Sequence, residues 1–171
     1  NEVQPLNPFD SYTATKILAE ELCDLYWKNH GFSYCAMRFF NVYGSGQSAD
    51  YFIGAKVKQA QDGQLTLRSG STSKDWVHVS DVCRAIMLAI DSDYVGAMNV
   101  GTGIETRLVD IVDMIAAETR VPVAIEDVAQ EGPTRMCADW SRAKRVLGWE
   151  PQVTLQDGLR ELIELSRREA A

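Results

Sequence analysis

Stretches of helical period alternate with short, unbroken apolar runs along nearly the whole chain. A helix buries one stripe, and a strand covered on both faces is apolar throughout. The alternation therefore predicts an α/β fold with at least part of a parallel sheet. Residues 1–10 hold two prolines and read as loop. Over residues 11–29, Ile17, Leu18, Leu22, Leu25 and Tyr26 keep a helical period, which His30-Gly31 ends. Residues 32–40 form an apolar run, as expected of a buried strand. Residues 41–46 read as loop, 52–62 as a helix, 65–68 as a short strand and 69–74 as a polar turn. Residues 76–79 are extended, and Ser80-Asp81 is placed to cap a helix to about residue 90. A strand at 97–101, a helix at 108–118 and a strand at 121–128 follow. A capped short helix at 139–147, closed by Gly148, and an amphipathic helix at 154–168 complete the series. No repeat, low-complexity tract or linker interrupts it, so residues 1–171 read as a single compact unit.

Composition narrows the function classes. Of the 171 residues 46% are apolar, enough for a real core. The net charge of −7 argues against a nucleic-acid platform or an anionic membrane surface. No apolar run reaches the roughly 18 residues of a spanning helix, and no signal peptide opens the chain. Cys23, Cys35, Cys83 and Cys137 lie inside apolar patterns without C-x-x-C spacing. They read as reduced core residues of a cytoplasmic protein. His30 and His78 are the only histidines and lack ligand spacing, so no metal site is expected.

The chemistry-bearing motif is Ser11-Tyr12-Thr13-Ala14-Thr15-Lys16. Residues i and i+4 of a helix share a face. A phenol has a pKa near 10 and is a poor base at neutral pH; a nearby ammonium favours the phenolate. Lys16 is placed to do this for Tyr12 and to hold a ribose hydroxyl with its other donors. Tyr12 would then exchange a proton with a sugar hydroxyl while hydride moves to or from a nicotinamide. Tyr-x-x-x-Lys is also common on amphipathic helices by chance, so the pattern needs its context.

That context is an ordered series. Asn7-Pro8 and Ser11-Tyr12 to Lys16 come first, then Arg38-Phe39-Phe40-Asn41-Val42-Tyr43-Gly44. Asp75-Trp76-Val77-His78-Val79-Ser80-Asp81-Val82 and Asn99-Val100-Gly101-Thr102-Gly103 follow. Ala138-Asp139, Ser141-Arg142-Ala143-Lys144 and Leu147-Gly148-Trp149-Glu150-Pro151 close it. In this order the chain resembles the C-terminal half of the extended short-chain dehydrogenase/reductases, in their NAD-dependent nucleotide-sugar epimerase/dehydratase branch, UDP-glucose 4-epimerase-like. The resemblance implies the C-terminal part of a Rossmann-like parallel sheet plus a small α/β substrate-binding domain. The former would be residues 1–44 and about 76–101, the latter about 45–75 and 102–171. It also implies that the N-terminal dinucleotide-binding half, with the Gly-rich turn, is missing. Asn99 to Gly103 lacks the G-x-G-x-x-G spacing and preceding strand that would replace it.

Carried over by residue, the resemblance implies that Tyr12 is the acid/base and that Lys16 binds the nicotinamide ribose. Phe40 and Val42 would pass the nicotinamide, and Asn41 would bind the sugar-nucleotide diphosphate. The 45–52 loop and residues 65–67 would border the nucleoside base, and Asp75 would cap or orient its turn. Lys74 stands where many relatives carry a phosphate-binding Arg; it keeps the charge and loses the bidentate fork. The family's second Arg is absent unless Arg135 substitutes. His78, Trp76, Trp140 and Trp149 read as structural. NAD or NADP is the implied cofactor, expected to bind the present chain weakly, and a nucleotide-diphosphate sugar is the implied substrate. A strand at 33–39 without its neighbours would expose a sheet edge, to be covered by a second copy in a homodimer or by the missing half. A non-catalytic nucleotide-sugar-binding or assembly module is the alternative.

Overall fold

The computed structural model describes residues 1–68, 72–126 and 135–169. It has six helices and eight strands among them. In chain order they are α1 (Ser11–His30), β1 (Cys35–Phe39), β2 (Asn41–Tyr43), α2 (Phe52–Gln61) and β3 (Leu65–Arg68). Then come β4 (Ser73–His78), α3 (Val79–Ile90), β5 (Gly96–Val100), β6 (Glu105–Arg107) and α4 (Leu108–Thr119). β7 (Val123–Glu126), β8 (Arg135–Met136), α5 (Ser141–Leu147) and α6 (Leu155–Glu169) complete the fold.

The strands pair mostly in parallel, as the alternation predicts. β1 runs beside β5, β3 beside β7, and β2 beside β4. β4 also takes β6 antiparallel and β8 parallel, so it is the hub of the sheet that holds the functional residues. Two apolar clusters flank it. The larger gathers Tyr43, Ile53, Leu65, Trp76, Ile111 and Ile163; the smaller gathers Val77, Ala85, Met98, Val100 and Trp149. Successive β4 residues point to opposite faces, which is why Trp76 serves one cluster and Val77 the other.

Several expectations are corrected. Residues 41–43 are a strand, not loop, because Asn41, Val42 and Tyr43 pair in register with Trp76, Val77 and His78. The 121–128 strand is shorter at its start, and residues 127–128 lie outside the described residues, as do residues 69–71 of the expected 69–74 turn and residues 129–134; Ser73 and Lys74 belong to β4 and not to a turn. Helix α3 is capped by His78, whose Nδ1 accepts from the Ser80 N–H, rather than by Ser80-Asp81. Asp81 is instead buried, with Oδ2 accepting from the Gln152 and Val153 N–H groups at 3.0 Å each. The cysteines are free, but Cys23, Cys83 and Cys137 are exposed and only Cys35 is half-buried. Cys23 and Cys83 sit on outward faces of α1 and α3, where apolar neighbours in sequence did not mean apolar neighbours in space. No helix among the described residues is long and apolar enough to cross a membrane.

Candidate active site

Helix α1 begins in a capping box. The Thr13 N–H donates to Asp10 Oδ1 at 2.7 Å and the Asp10 N–H to Thr13 Oγ1 at 3.2 Å. Gly31, in the left-handed region at φ 73°, closes the far end. Tyr12 is therefore held in the first turn, with Lys16 one turn on. The Lys16 ammonium lies 5.1 Å from the Tyr12 ring centroid. Both side chains are exposed, Tyr12 by 66%.

A cavity of about 760 Å³ opens beside Tyr12. Its wall brings together Tyr12, Phe40, Asn41, Val42, Lys74 and Trp76. Five of the seven residues singled out from sequence thus meet in one place. Lys16 stands behind Tyr12 and does not line the cavity. Arg135 is also apart from it. Its guanidinium forks onto Glu105, Nε to Oε1 at 2.8 Å and Nη2 to Oε2 at 2.6 Å. Arg135 first, then Ser73, hold the Glu105 carboxyl down to about 2. Leu65 and Leu67 are core residues and do not line the cavity.

The wall is built by the β2–β4 pair. Asn41 Nδ2 donates to the Asp75 carbonyl at 2.9 Å, which fixes the amide and leaves Oδ1 and one N–H for a ligand. Lys74, half-buried on β4, has no ion-pair or hydrogen-bond partner among the described residues. Gly44 must be glycine here. Its φ is +149°, and a Cβ would collide with Val79 and come within 3.3 Å of His78 Nε2. Tyr43 shares the wall, but burial first, then Asp81, Glu161 and Asp157, push its phenol far above the usual range. It stays a neutral donor toward the Thr154 and Leu155 carbonyls.

Asp75 lies on the opposite face of β4, fully buried. Oδ1 accepts from the Thr102 N–H at 2.8 Å and its hydroxyl at 2.6 Å. Oδ2 accepts from the Gly103 and Ala138 N–H groups at 2.8 and 3.0 Å. The Asn99 to Gly103 turn therefore spends these N–H groups inside the protein and offers no pyrophosphate cradle. The nicotinamide-ribose side fits better, because the Lys16 ammonium and the Tyr12 hydroxyl carry no other hydrogen bond among the described residues. Among those residues no group of three or more His, Cys, Asp or Glu could hold a metal ion. Trp76 and Tyr43 were not anticipated as cavity residues, whereas the 45–52 loop, expected beside the nucleoside base, does line the cavity through Gln47, Asp50 and Phe52. The two-residue spacing of Lys74 and Trp76, which puts both on one strand face, was the available signal.

Residues 1–162 match the family model described as GDP-mannose 4,6 dehydratase. A putative UDP-glucose 4-epimerase of Methanocaldococcus jannaschii is 30% identical over 172 residues, covering 95% of this chain and 55% of the relative. UDP-glucuronic acid decarboxylase 6 of Arabidopsis thaliana is 31% identical over 163 residues, covering 92% and 48%. The dTDP-glucose 4,6-dehydratase of Bacillus anthracis, solved in complex with NAD, superposes with a TM-score of 0.90 at 26% identity, covering 98% of this chain and 55% of that one. The chain spans about half the length of the curated relatives it matches. With nearly its whole length inside the family model, the chain belongs to the GDP-mannose 4,6 dehydratase family of NAD-dependent nucleotide-sugar epimerases and dehydratases.

Proposed function

We propose that this chain supplies the proton relay and the sugar-nucleotide pocket of an NAD(P)-dependent nucleotide-sugar epimerase or dehydratase, and that it is inactive by itself. The observation that carries this is the single cavity lined by Tyr12, Asn41 and Lys74, with Lys16 over the Tyr12 ring. The bound cofactor would accept and return hydride at a sugar carbon. Tyr12 takes the hydroxyl proton from that carbon as a keto-sugar forms, then gives it back. Lys16 holds the nicotinamide ribose. Phe40 and Val42 border the nicotinamide. Asn41 and Lys74 hold the diphosphate. Arg135 joins them only by leaving Glu105, so it is the weakest member of the set.

Residues 1–44 and about 76–101 would complete the sheet of the dinucleotide-binding domain; the remainder would cover the substrate. The exposed face of α1 suits a homodimer. A nucleotide-sugar bound without turnover is the second reading, and the exposure of Tyr12 is what favours it. Turnover by the full-length protein and its Tyr12→Phe variant separates the two. We expect UDP-sugar binding to survive in the variant and kcat to fall by about 10² to 10⁴. Undiminished turnover in Tyr12→Phe overturns the proton-relay assignment. The 171-residue chain assayed alone with NAD should show no turnover.

A further inference from the structure

Trp76 is 7% exposed, and its indole N–H finds no acceptor among the described residues. Orphaned buried donors are rare in folded proteins, and each one needs a reason. The chain satisfies its neighbours of the same kind. Trp140 Nε1 donates to the Thr102 carbonyl at 3.0 Å and Trp149 Nε1 to the Asp81 carbonyl at 2.9 Å. What sets Trp76 apart is its place on the cavity wall.

The strand register says what stands around it. Asn41 of β2 is the direct partner of Trp76 on β4, so their side chains are neighbours. Lys74 is two residues earlier on β4 and shares the face. Phe52 packs against the indole with ring centroids 5.8 Å apart, which fixes its plane. One wall therefore gathers Lys74, Asn41 with one amide N–H already spent on Asp75, and Trp76, whose indole N–H has no partner among the described residues. Asp50 also lines the cavity, but Oδ2 is engaged by the Ser48 hydroxyl at 2.8 Å. Gln47 Oε1, the unpaired acceptor of this cavity, makes no hydrogen bond to the indole. The wall thus has donors to spare for an anion with several oxygens.

We propose that the Trp76 N–H is a third donor to the diphosphate of a nucleoside diphosphate, beside Asn41 and Lys74. This rests on the sugar-nucleotide reading above and adds to it a residue that packing alone does not explain. Trp76→Phe keeps an aromatic ring against Phe52 and removes the N–H together with part of the fused ring, a packing loss that the uridine comparison controls for.

Calorimetric titration of the full-length protein with UDP and with uridine tests it. Trp76→Phe should weaken UDP binding about tenfold, the size of one hydrogen bond to a charged acceptor, and leave uridine binding as it was. The melting temperature without ligand should not fall through loss of a hydrogen bond, since none is made. Unchanged UDP affinity overturns the proposal, and so does an equal loss for UDP and uridine, which would put the N–H on the nucleoside. Failure of the wild-type protein to bind UDP at all would overturn the function reading itself, a distinct result. Should Trp76→Phe not fold, the wild-type protein labelled at indole nitrogen gives the second measurement. UDP must shift an indole N–H resonance that uridine does not; no such shift overturns the proposal.

Discussion

Asp75 joins three stretches of chain that lie far apart in sequence. Its carboxylate takes four donors, from Thr102, Gly103 and Ala138, while its carbonyl takes the Asn41 amide. Gly101 has to stay bare beside it, because a Cβ there would lie 2.9 Å from Oδ2 and 2.6 Å from the Ala138 Cβ. An Asn at 75 turns one acceptor into a donor facing a backbone N–H. We expect Asp75→Asn to cost roughly 3 kcal/mol in denaturant unfolding, the scale of charged hydrogen bonds lost in a buried site. Glu105 shows the other face of residue-scale electrostatics. Its folded pKa of about 2 lies below the ordinary 4.5, so the Arg135 contact stabilises the fold at neutral pH and fades as pH falls from about 4.5 toward 2. An acid titration of stability should therefore be flatter over that window in Glu105→Gln. The resemblance pointed to Asp75 as orienting its own turn; it lies on β4 instead and holds the Thr102–Gly103 turn. The Glu105–Arg135 pair was not legible, because it spans thirty residues and depends on β6 and β8 both lying against β4.

At the scale of elements, legibility followed length. Every helix of ten residues or more declared itself by period, and each lies within a few residues of its expected bounds. β2, β6 and β8 were missed because two or three residues contain no period to read. The cost fell on the site, since β2 is what sets Asn41 beside Trp76. The helices also carry local stops whose removal is measurable. Asp10→Ala deletes the capping box of α1 and should lower helix stability by about 1 kcal/mol, seen as faster amide exchange in the turn that carries Tyr12. Gly158 of α6 is the contact point with Tyr43, whose ring carbons would lie 2.9 Å from an added Cβ. Gly158→Ala should overpack this crossing by about 1–3 kcal/mol, read as a lowered Tm.

Across the whole molecule the two edges of the β1–β5 pair differ. The outer edge of β5 is stoppered by side chains. Glu2 Oε1 accepts from the Asn99 N–H at 3.0 Å, and Arg142 and the Tyr94 hydroxyl donate to the Ala97 carbonyl at 2.9 and 2.8 Å. β1, by contrast, has β5 as its only strand neighbour among the described residues. Helix α1, which leads into β1, has no buried residue at all. It is tied down by Arg38, which forks onto Glu20, and by the Tyr34 hydroxyl on Asp24. Leu18, Leu22 and Leu25, spaced as one helical stripe, are each at least half exposed. An apolar stripe that size beside a strand edge is the surface on which the proposed homodimer is tested. The expectation at 33–39 was a parallel strand without its neighbours; β5 lies along one side of β1, and among the described residues no strand lies along the other. The consequence can be weighed in a centrifuge. The 171-residue chain should sediment above monomer mass at tens of micromolar, and Leu18→Glu with Leu22→Glu should shift it toward monomer while leaving the far-UV helix signal in place, because both positions face outward. A chain that stays monomeric under those conditions would mean that Arg38, Glu20 and Asp24 suffice to hold α1, and that its apolar stripe waits for no second copy.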